Sequence, residues 1–206
     1  MKENAKKIIV LMLLIAILSP TLAIAGDEED PEIVDESEDD IVPFLDIISA
    51  WFYEQDDQPD FLFIGLKLKE ISTTPLKQHL TVHWELNGVE CAAMMAVGYK
   101  DVESVNFSAG WGHGLWFQEH YQEIQGEYDE ETGIIIMMIP KSMIKNPQKG
   151  DILTNTYALT FQRFGFIGKM GFDRAILRSI LFILSGENRS DFAPNEGYGQ
   201  DYTILY

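Results

Sequence analysis

Alternating hydrophobic and polar positions recur along most of the chain after residue 40. After the apolar run DIISAWFYEQ (46–55), the runs FLFIGLKLKEI (61–71) and HLTVHWELNG (79–88) alternate apolar with small, polar or charged residues. This period is typical of β-strands that bury one face. Asn87-Gly88 ends the third run and is a strong signal for a two-residue hairpin turn, so VECAAMMAVGYK is expected to pair back on it.

Later runs extend the same pattern. GIIIMMIP (133–140) is continuously apolar, which predicts a central strand covered on both faces. GDILTNTYALTFQRF (150–164) and the closing YGQDYTILY are further strand candidates. Eight or nine short strands with hairpin-type turns predict an all-β fold, an antiparallel β-sandwich of jelly-roll or immunoglobulin-like type.

Two stretches depart from strand periodicity. PKSMIKNPQKG predicts a single helical turn, with Pro140 at its start and Pro147 at its exit. DRAILRSILFILSG favours one short helix near 173–185, capped by Asp173 and ended by Gly186, although a strand over 179–184 also fits its composition.

The first 25 residues have the composition of a targeting segment. Three lysines precede the apolar run Ile8–Leu18, and Ala23-Ile24-Ala25 has the small-x-small pattern of a cleavage site. Residues 1–25 are therefore predicted to be a signal peptide cleaved after Ala25, with an uncleaved anchor as the alternative. Either outcome places the rest of the chain outside the cell, secreted or on the extracellular face of the membrane.

Charge divides the remainder into two parts. Residues 26–40 hold ten acidic residues and no basic one, which predicts an acidic disordered linker. Residues 41–206 are then long enough for one sandwich domain. The net charge of −18 argues against nucleic acid as a partner, because phosphate binding requires clustered Lys and Arg. Cys91 is the single cysteine and lies in an apolar run, which indicates a buried, inert thiol.

The order of these features resembles a known superfamily. Ile139-Pro140-Lys141-Ser142 before a helical turn and the closing PNEGYGQDY are its more specific pieces. Over residues 46–206 the chain resembles the DOMON-like superfamily of extracellular β-sandwiches, which includes family 9 carbohydrate-binding modules and haem-binding cytochrome domains. The resemblance implies a non-catalytic module that binds a ligand or a surface. The apolar segment 164–184 is an addition to that pattern.

The glycine-rich loop SAGWGHGLWF (108–117) is the candidate ligand-binding segment. Trp111 and Trp116 could offer flat faces to the apolar side of a sugar, and His113 a hydrogen-bonding group. The alternative is that one indole packs in the core and the other covers an edge of the sandwich.

Carboxylates and an amide near the end of the chain form a candidate metal site. Asp191, Asn195, Glu196 and Asp201 offer the hard oxygen ligands that calcium prefers, and Asp46 would join them if the first and last strands pair. The alternative is a turn, specified by Pro, Asn and Gly, that leads into the last strand.

Other chemistry has weaker support. Noncovalent haem binding would need axial ligands from His83, His113, Met94 or Met95, and no covalent attachment motif is present. Neither Gly-x-Ser-x-Gly nor His-Glu-x-x-His occurs, so no enzyme activity is predicted. The sequence thus predicts an exported, non-catalytic recognition module whose partner is carbohydrate or another envelope component. The alternative is a structural or protein-interaction domain without a small ligand. Membrane contact is expected only through an uncleaved leader or peripherally.

Overall fold

The computed structural model describes residues 26–35, 41–73, 78–98, 104–112, 120–162 and 190–206. Twelve strands lie in these ranges: β1 (Ile33–Val34), β2 (Ile47–Tyr53), β3 (Phe61–Leu68), β4 (Gln78–Leu86), β5 (Val89–Val97), β6 (Val105–Trp111), β7 (Gln122–Glu123), β8 (Gln125–Asp129), β9 (Ile134–Pro140), β10 (Ile152–Gln162), β11 (Ser190–Ala193) and β12 (Tyr202–Thr203). A 3₁₀ turn at Lys141–Ile144 is the helical element of the described ranges.

All strand pairs are antiparallel and form two sheets. Sheet A has the order β1-β2-β3-β9-β8. Sheet B has the order β11-β10-β4-β5-β6-β7, with β12 paired to one end of β10. The predicted all-β, sandwich-like fold is confirmed. The strand number is higher than predicted because β1, β6 and β11 were not expected and the region 122–129 is divided into β7 and β8.

The core lies between the two sheets, where every second side chain is apolar. Sheet A contributes Phe52, and sheet B contributes Trp84, whose ring meets the Phe52 ring edge-on at a centroid distance of 5.7 Å. Both side chains are buried. The Asn87-Gly88 turn has positive φ at both residues, 52° and 77°, as a two-residue hairpin between β4 and β5 requires.

Strand β9 differs from its sequence prediction in one respect. It lies inside sheet A between β3 and β8, but only Ile135, Met137 and Ile139 are buried. The intervening side chains of Ile134 and Met138 are half-buried on the outer face. The prediction of a strand covered on both faces is therefore wrong. The outer face of β9 is instead an apolar surface that is partly exposed.

Residues 26–35, which we call the N-terminal strap, pack against the sandwich. Ile33 is fully buried and pairs with Ala50 of β2. The prediction of a disordered linker over residues 26–40 is therefore wrong for residues 26–35, and the folded unit includes the strap. An apolar Ile33-Val34 pair inside an acidic block is enough to add an edge strand.

Several predictions fall on other parts of the chain. The signal peptide (1–25), His113, Trp116 and the helix near 173–185 lie outside the described residues. Within the described ranges, no helix has the length and apolar character needed to span a membrane.

Candidate functional site

Three carboxylates from distant parts of the chain meet at one side of the sandwich. Asp35 follows β1, Asp46 precedes β2, and Asp191 lies in β11. Strands β1 and β11 are edge strands of different sheets, and the two edges converge here. One oxygen from each carboxylate lies within 4.8 Å of the others. The topology therefore builds a cluster of hard oxygen ligands.

Hydrogen bonds hold this cluster in place. Asp191 accepts from the Ile47 backbone N–H at 2.7 Å through Oδ2, and from the Phe192 N–H at 2.7 Å through Oδ1. The first of these bonds joins sheet B to sheet A. The Asn195 side-chain amide donates to Asp35 Oδ1 at 2.5 Å. Three carboxylates and an amide thus lie close together where the edges of the two sheets meet.

Two of the three carboxylates in this cluster are removed from water. Asp191 and Asp46 are 3% and 7% exposed, and Lys69 Nζ lies 2.9 Å from Asp46 Oδ2. Three carboxylates that lie this close together, two of them buried, offer the hard oxygen ligands that a divalent cation such as calcium takes.

The cluster agrees only in part with the predicted metal ligands. Asp46, Asp191 and Asn195 come together, but Glu196 and Asp201 are exposed and do not belong to the cluster. The expected pairing of first and last strands is wrong, because β2 lies in sheet A whereas β12 pairs with β10 of sheet B. Sequence reasoning missed Asp35, since it assigned that residue to the linker. The available signal was the strand-forming Ile33-Val34 immediately before it.

Trp111 is the last residue of strand β6, so the prediction of a loop over 108–117 is wrong for its first four residues, which pair with β5. The indole is enclosed by its own chain. The His120 ring stacks on the indole at a centroid distance of 3.7 Å and an interplanar angle of 10°. Lys145 Nζ lies 3.0 Å from the indole centroid. These groups would overlap on one side, so they occupy opposite faces. A sugar stacked on Trp111 would have to displace His120 or Lys145.

The outer face of sheet B is closed. Its side chains alternate with the core positions of β4 and β10, and five that carry polar or aromatic groups are at most 8% exposed: His79, Thr81, His83, Tyr157 and Phe161. The His83 ring stacks on Tyr157 at 4.5 Å, and His79 Nδ1 lies 3.1 Å from Met94 Sδ. Met95 points the other way, into the core, so His83 and Met95 cannot share a haem iron.

The outer face of sheet A carries aromatic side chains, of which Trp51 and Phe63 are buried and Tyr53 is half-buried. The Trp51 ring lies flat over Gly65, where a Cβ atom would come within 2.1 Å of the indole. Beside it, the rings of Tyr53 and Phe63 stack at 5.0 Å with an interplanar angle of 20°. Burial, and then the nearby Glu127 carboxylate, raise the pKa of Tyr53. The acidic side chains of β8 therefore lie beside Trp51, Tyr53 and Phe63, which we call the aromatic row.

A surface cavity of about 340 Å³ continues this face toward β7 and β8. Its lining residues are Phe61, Glu123, Ile124, Gln125, Met138 and Pro140. Phe61 is directly opposite Pro140 in the sheet, and Gln125 is opposite Met138, so four of these side chains share the outer face. The cavity combines an apolar wall with a carboxylate and an amide.

The closing residues of the chain form a structural clasp. Glu54 Oε1 lies 2.5 Å from Lys141 Nζ, and both side chains are almost completely buried. Glu54 Oε2 accepts from the Leu205 backbone N–H at 2.6 Å and from the Tyr202 hydroxyl at 3.2 Å. Burial and the adjacent Glu54 raise the pKa of Tyr202. These contacts attach the end of the chain to sheet A.

Cys91 matches its predicted character. Its side chain is buried, and that burial raises the pKa of the thiol to about 12, so the reactive thiolate is scarce at neutral pH.

Comparison with protein-family models, with curated proteins and with solved structures gave no match. The resemblance to DOMON-like sandwiches remains a prediction from the sequence.

Proposed function

We propose that this chain is an exported, non-catalytic recognition module that binds carbohydrate on the outer face of sheet A. The observation that carries the proposal is the cavity beside the aromatic row, where Phe61 and Met138 form an apolar wall next to Glu123 and Gln125. Sugars present apolar C–H faces and hydroxyl edges, so a site for them needs ring or aliphatic surfaces together with a few hydrogen-bonding groups.

The acidic side chains around the cavity limit the class of glycan that would bind there. Glu123, Glu127 and Asp129 are all exposed at this side of sheet A, and the whole chain carries a net charge of −18. Uronic-acid or sulfated glycans would be repelled. The ligand class that fits is a neutral polysaccharide, whose hydroxyls can donate to the Glu123 carboxylate.

Affinity electrophoresis and calorimetry with soluble neutral polysaccharides test the proposal. Wild-type protein should be retarded by at least one of them, and Phe61→Ala should abolish the effect by removing the apolar wall. Trp111→Ala is the matched aromatic control on the other sheet. Loss of binding in Trp111→Ala alone would move the site to the loop that contains His113 and Trp116. No retardation by a broad neutral panel would overturn the proposal.

A second function, protein interaction without a small ligand, is favoured by strand β8. It is an edge strand of sheet A, and all five of its residues are exposed. An extended peptide could add to such an edge by main-chain hydrogen bonds. Binding of an envelope protein that Gly126→Pro abolishes and Phe61→Ala preserves would favour this function over carbohydrate recognition.

We also propose that calcium binds at Asp35, Asp46 and Asp191, with Asn195 beside them, as a structural ion joining the two sheets. The support is the convergence of three carboxylates, two of them buried, from distant parts of the chain. A ligand at one hundred times its Kd stabilises by about 2.7 kcal/mol. Millimolar calcium should therefore raise the Tm of wild-type protein, and Asp191→Asn should remove the effect while Asp201→Asn keeps it. An unchanged wild-type Tm would contradict calcium binding.

A further inference from the structure

The carboxyl group of Glu32 occupies an unusual position inside the N-terminal strap. Both of its oxygens lie 2.2 Å from the point where a Cβ on residue 26 would stand, so the carboxylate is packed against Gly26 and leaves no space for a larger residue. A Cα–Cβ bond is about 1.5 Å, which places both oxygens within about 3.7 Å of the Gly26 Cα. The backbone nitrogen of Gly26 is bonded to this Cα at a distance of about 1.46 Å.

Glu32 is also held from its other side. Its Oε2 accepts from the Phe52 backbone N–H of β2 at 2.9 Å, and its own carbonyl accepts from the Gln200 N–H at 2.7 Å. The next residue, Ile33, is fully buried in the core. The carboxylate therefore cannot swing into solvent without undocking the strap.

The charged groups that act on this carboxylate have the wrong sign to stabilise it. Burial, with smaller contributions from the neighbouring Asp30 and Asp27 carboxylates, raises the pKa of Glu32 to about 7. Lys67, whose ammonium contacts the strap, pairs with Glu28. A buried carboxylate of this kind calls for a cation.

We propose that cleavage after Ala25 supplies that cation, because the new α-ammonium of Gly26 pairs with the Glu32 carboxylate and locks the strap onto the sandwich. In the cleavage, a peptidase of the export machinery adds water across the Ala25–Gly26 amide. Ala25 keeps the carboxylate, and the nitrogen of Gly26 takes up protons to become an ammonium. In the unprocessed chain this nitrogen is an uncharged amide and cannot form the ion pair.

The inference depends on the predicted cleavage and is independent of the proposed ligand, so a failed glycan screen leaves it standing. It also assigns a role to glycine at residue 26. A side chain there would displace the carboxylate, whereas glycine lets the ammonium and the carboxylate meet.

The test uses the full-length gene, exported by a bacterial host, with the mature N-terminus identified by mass spectrometry. The pKa of the Gly26 amine is then followed by competitive acetylation as a function of pH. We expect it to lie above the ordinary value of about 8 for an α-amine. A rise of one unit lowers the reactive fraction at neutral pH about tenfold. Glu32→Gln should return the amine to ordinary reactivity, and Glu29→Gln, an exposed carboxylate on the same strap, should leave it protected.

A second comparison does not depend on how well Glu32→Gln folds. Insertion of one serine between Ala25 and Gly26 keeps the leader and the carboxylate but moves the ammonium by one residue, about 3.5 Å. This variant should have a lower Tm than wild type, and acetylation of its amine should not lower the Tm further. A mature chain that begins elsewhere than at Gly26 would overturn the proposal. So would an amine in the wild-type protein that titrates like that of a free peptide.

Discussion

At the scale of single residues, the most consequential group is the buried carboxylate of Glu54. It lies after β2 and meets Lys141 from the 3₁₀ turn, with both side chains almost fully removed from water. It also binds the closing residues through Leu205. Paired charges of this kind are costly to separate, because removal of one partner leaves the other desolvated.

Glu54→Gln should therefore destabilise the protein strongly. The amide retains the shape of the side chain but removes the Glu54 charge from the Lys141 ammonium, which keeps its hydrogen bond to the Tyr206 carbonyl. Loss of one partner costs about 3–5 kcal/mol in buried pairs. Urea denaturation monitored by circular dichroism measures the loss. The control is Lys67→Met, which removes the exposed pair with Glu28 and should cost no more than about 1 kcal/mol. Equal losses of unfolding free energy in the two variants would mean that the buried Glu54–Lys141 pair contributes no more than an exposed ion pair.

At the scale of elements, the N-terminal strap contributes more than its composition suggests. Its two-residue strand β1 extends the edge of sheet A, and the Glu32 carboxylate continues the ladder by accepting from Phe52. Asp35, at the end of the strap, completes the acidic cluster. One short segment thus serves the core, the ladder and the candidate cation site.

The two residues of β1 provide a matched test of strap docking. Ile33→Ala should cost about 2–4 kcal/mol, because it empties a fully buried position in the core. Val34→Ala, at a side chain that is 43% exposed, should change the free energy of unfolding by less than about 0.5 kcal/mol. Thermal unfolding of both variants distinguishes a docked strap from a linker. If the strap were a linker, both substitutions would be silent.

Strap docking should also depend on pH when the nitrogen of residue 26 is acetylated. The pKa of Glu32 is raised in the folded state from 4.5 to about 7, so folding favours the protonated acid. The facing groups are Asp27 and Asp30 on the strap and Tyr202 of β12, and the carboxylates of Asp27 and Asp30 favour that form too. The stabilisation is complete below pH 4.5 and is lost as the pH rises to 7. The total is about 3 kcal/mol at most.

The measurement is the difference in Tm between acetylated wild type and acetylated Glu32→Gln at pH 5 and pH 8. Wild type should lose stability relative to the variant as the pH increases, because glutamine imitates the protonated acid at both values. A constant difference would show that Glu32 does not change its protonation on folding.

At the scale of the whole molecule, net charge acts on stability. The chain carries 33 acidic and 15 basic residues, and the described cation–carboxylate pairs are few. Mutual repulsion of like charges favours the unfolded state, and salt screens it over about 10 Å at 0.1 M.

The Tm should accordingly rise by a few degrees when sodium chloride is increased from about 10 mM to about 200 mM, in the presence of a calcium chelator. An equal osmolarity of uncharged sucrose serves as the comparison for non-electrostatic effects. A Tm that falls with salt would indicate that attractive ion pairs, such as Lys69 with Asp46, outweigh the repulsion.

The sequence predicted local features well and long-range ones less well. Asn87-Gly88 sets its own hairpin through backbone preferences, so it was visible without a structure. The partly exposed outer face of β9 could not be predicted, because an apolar run does not indicate which of its two faces the neighbouring elements leave uncovered. Asp35 and Asp191 are 156 positions apart and meet only because two sheet edges converge. Trp111 had the composition of a binding loop, yet its stacking partners come from outside that loop.

Docking of the strap also sets how far the folded unit could stand from a lipid bilayer. A retained leader would end one residue before Gly26, and Gly26 is already buried against the sandwich. At most residues 19–25, which follow the apolar run, would separate such a leader from the sandwich, so an acidic body would be held close to the headgroups, where anionic lipids repel it. Cleavage after Ala25 would remove that constraint.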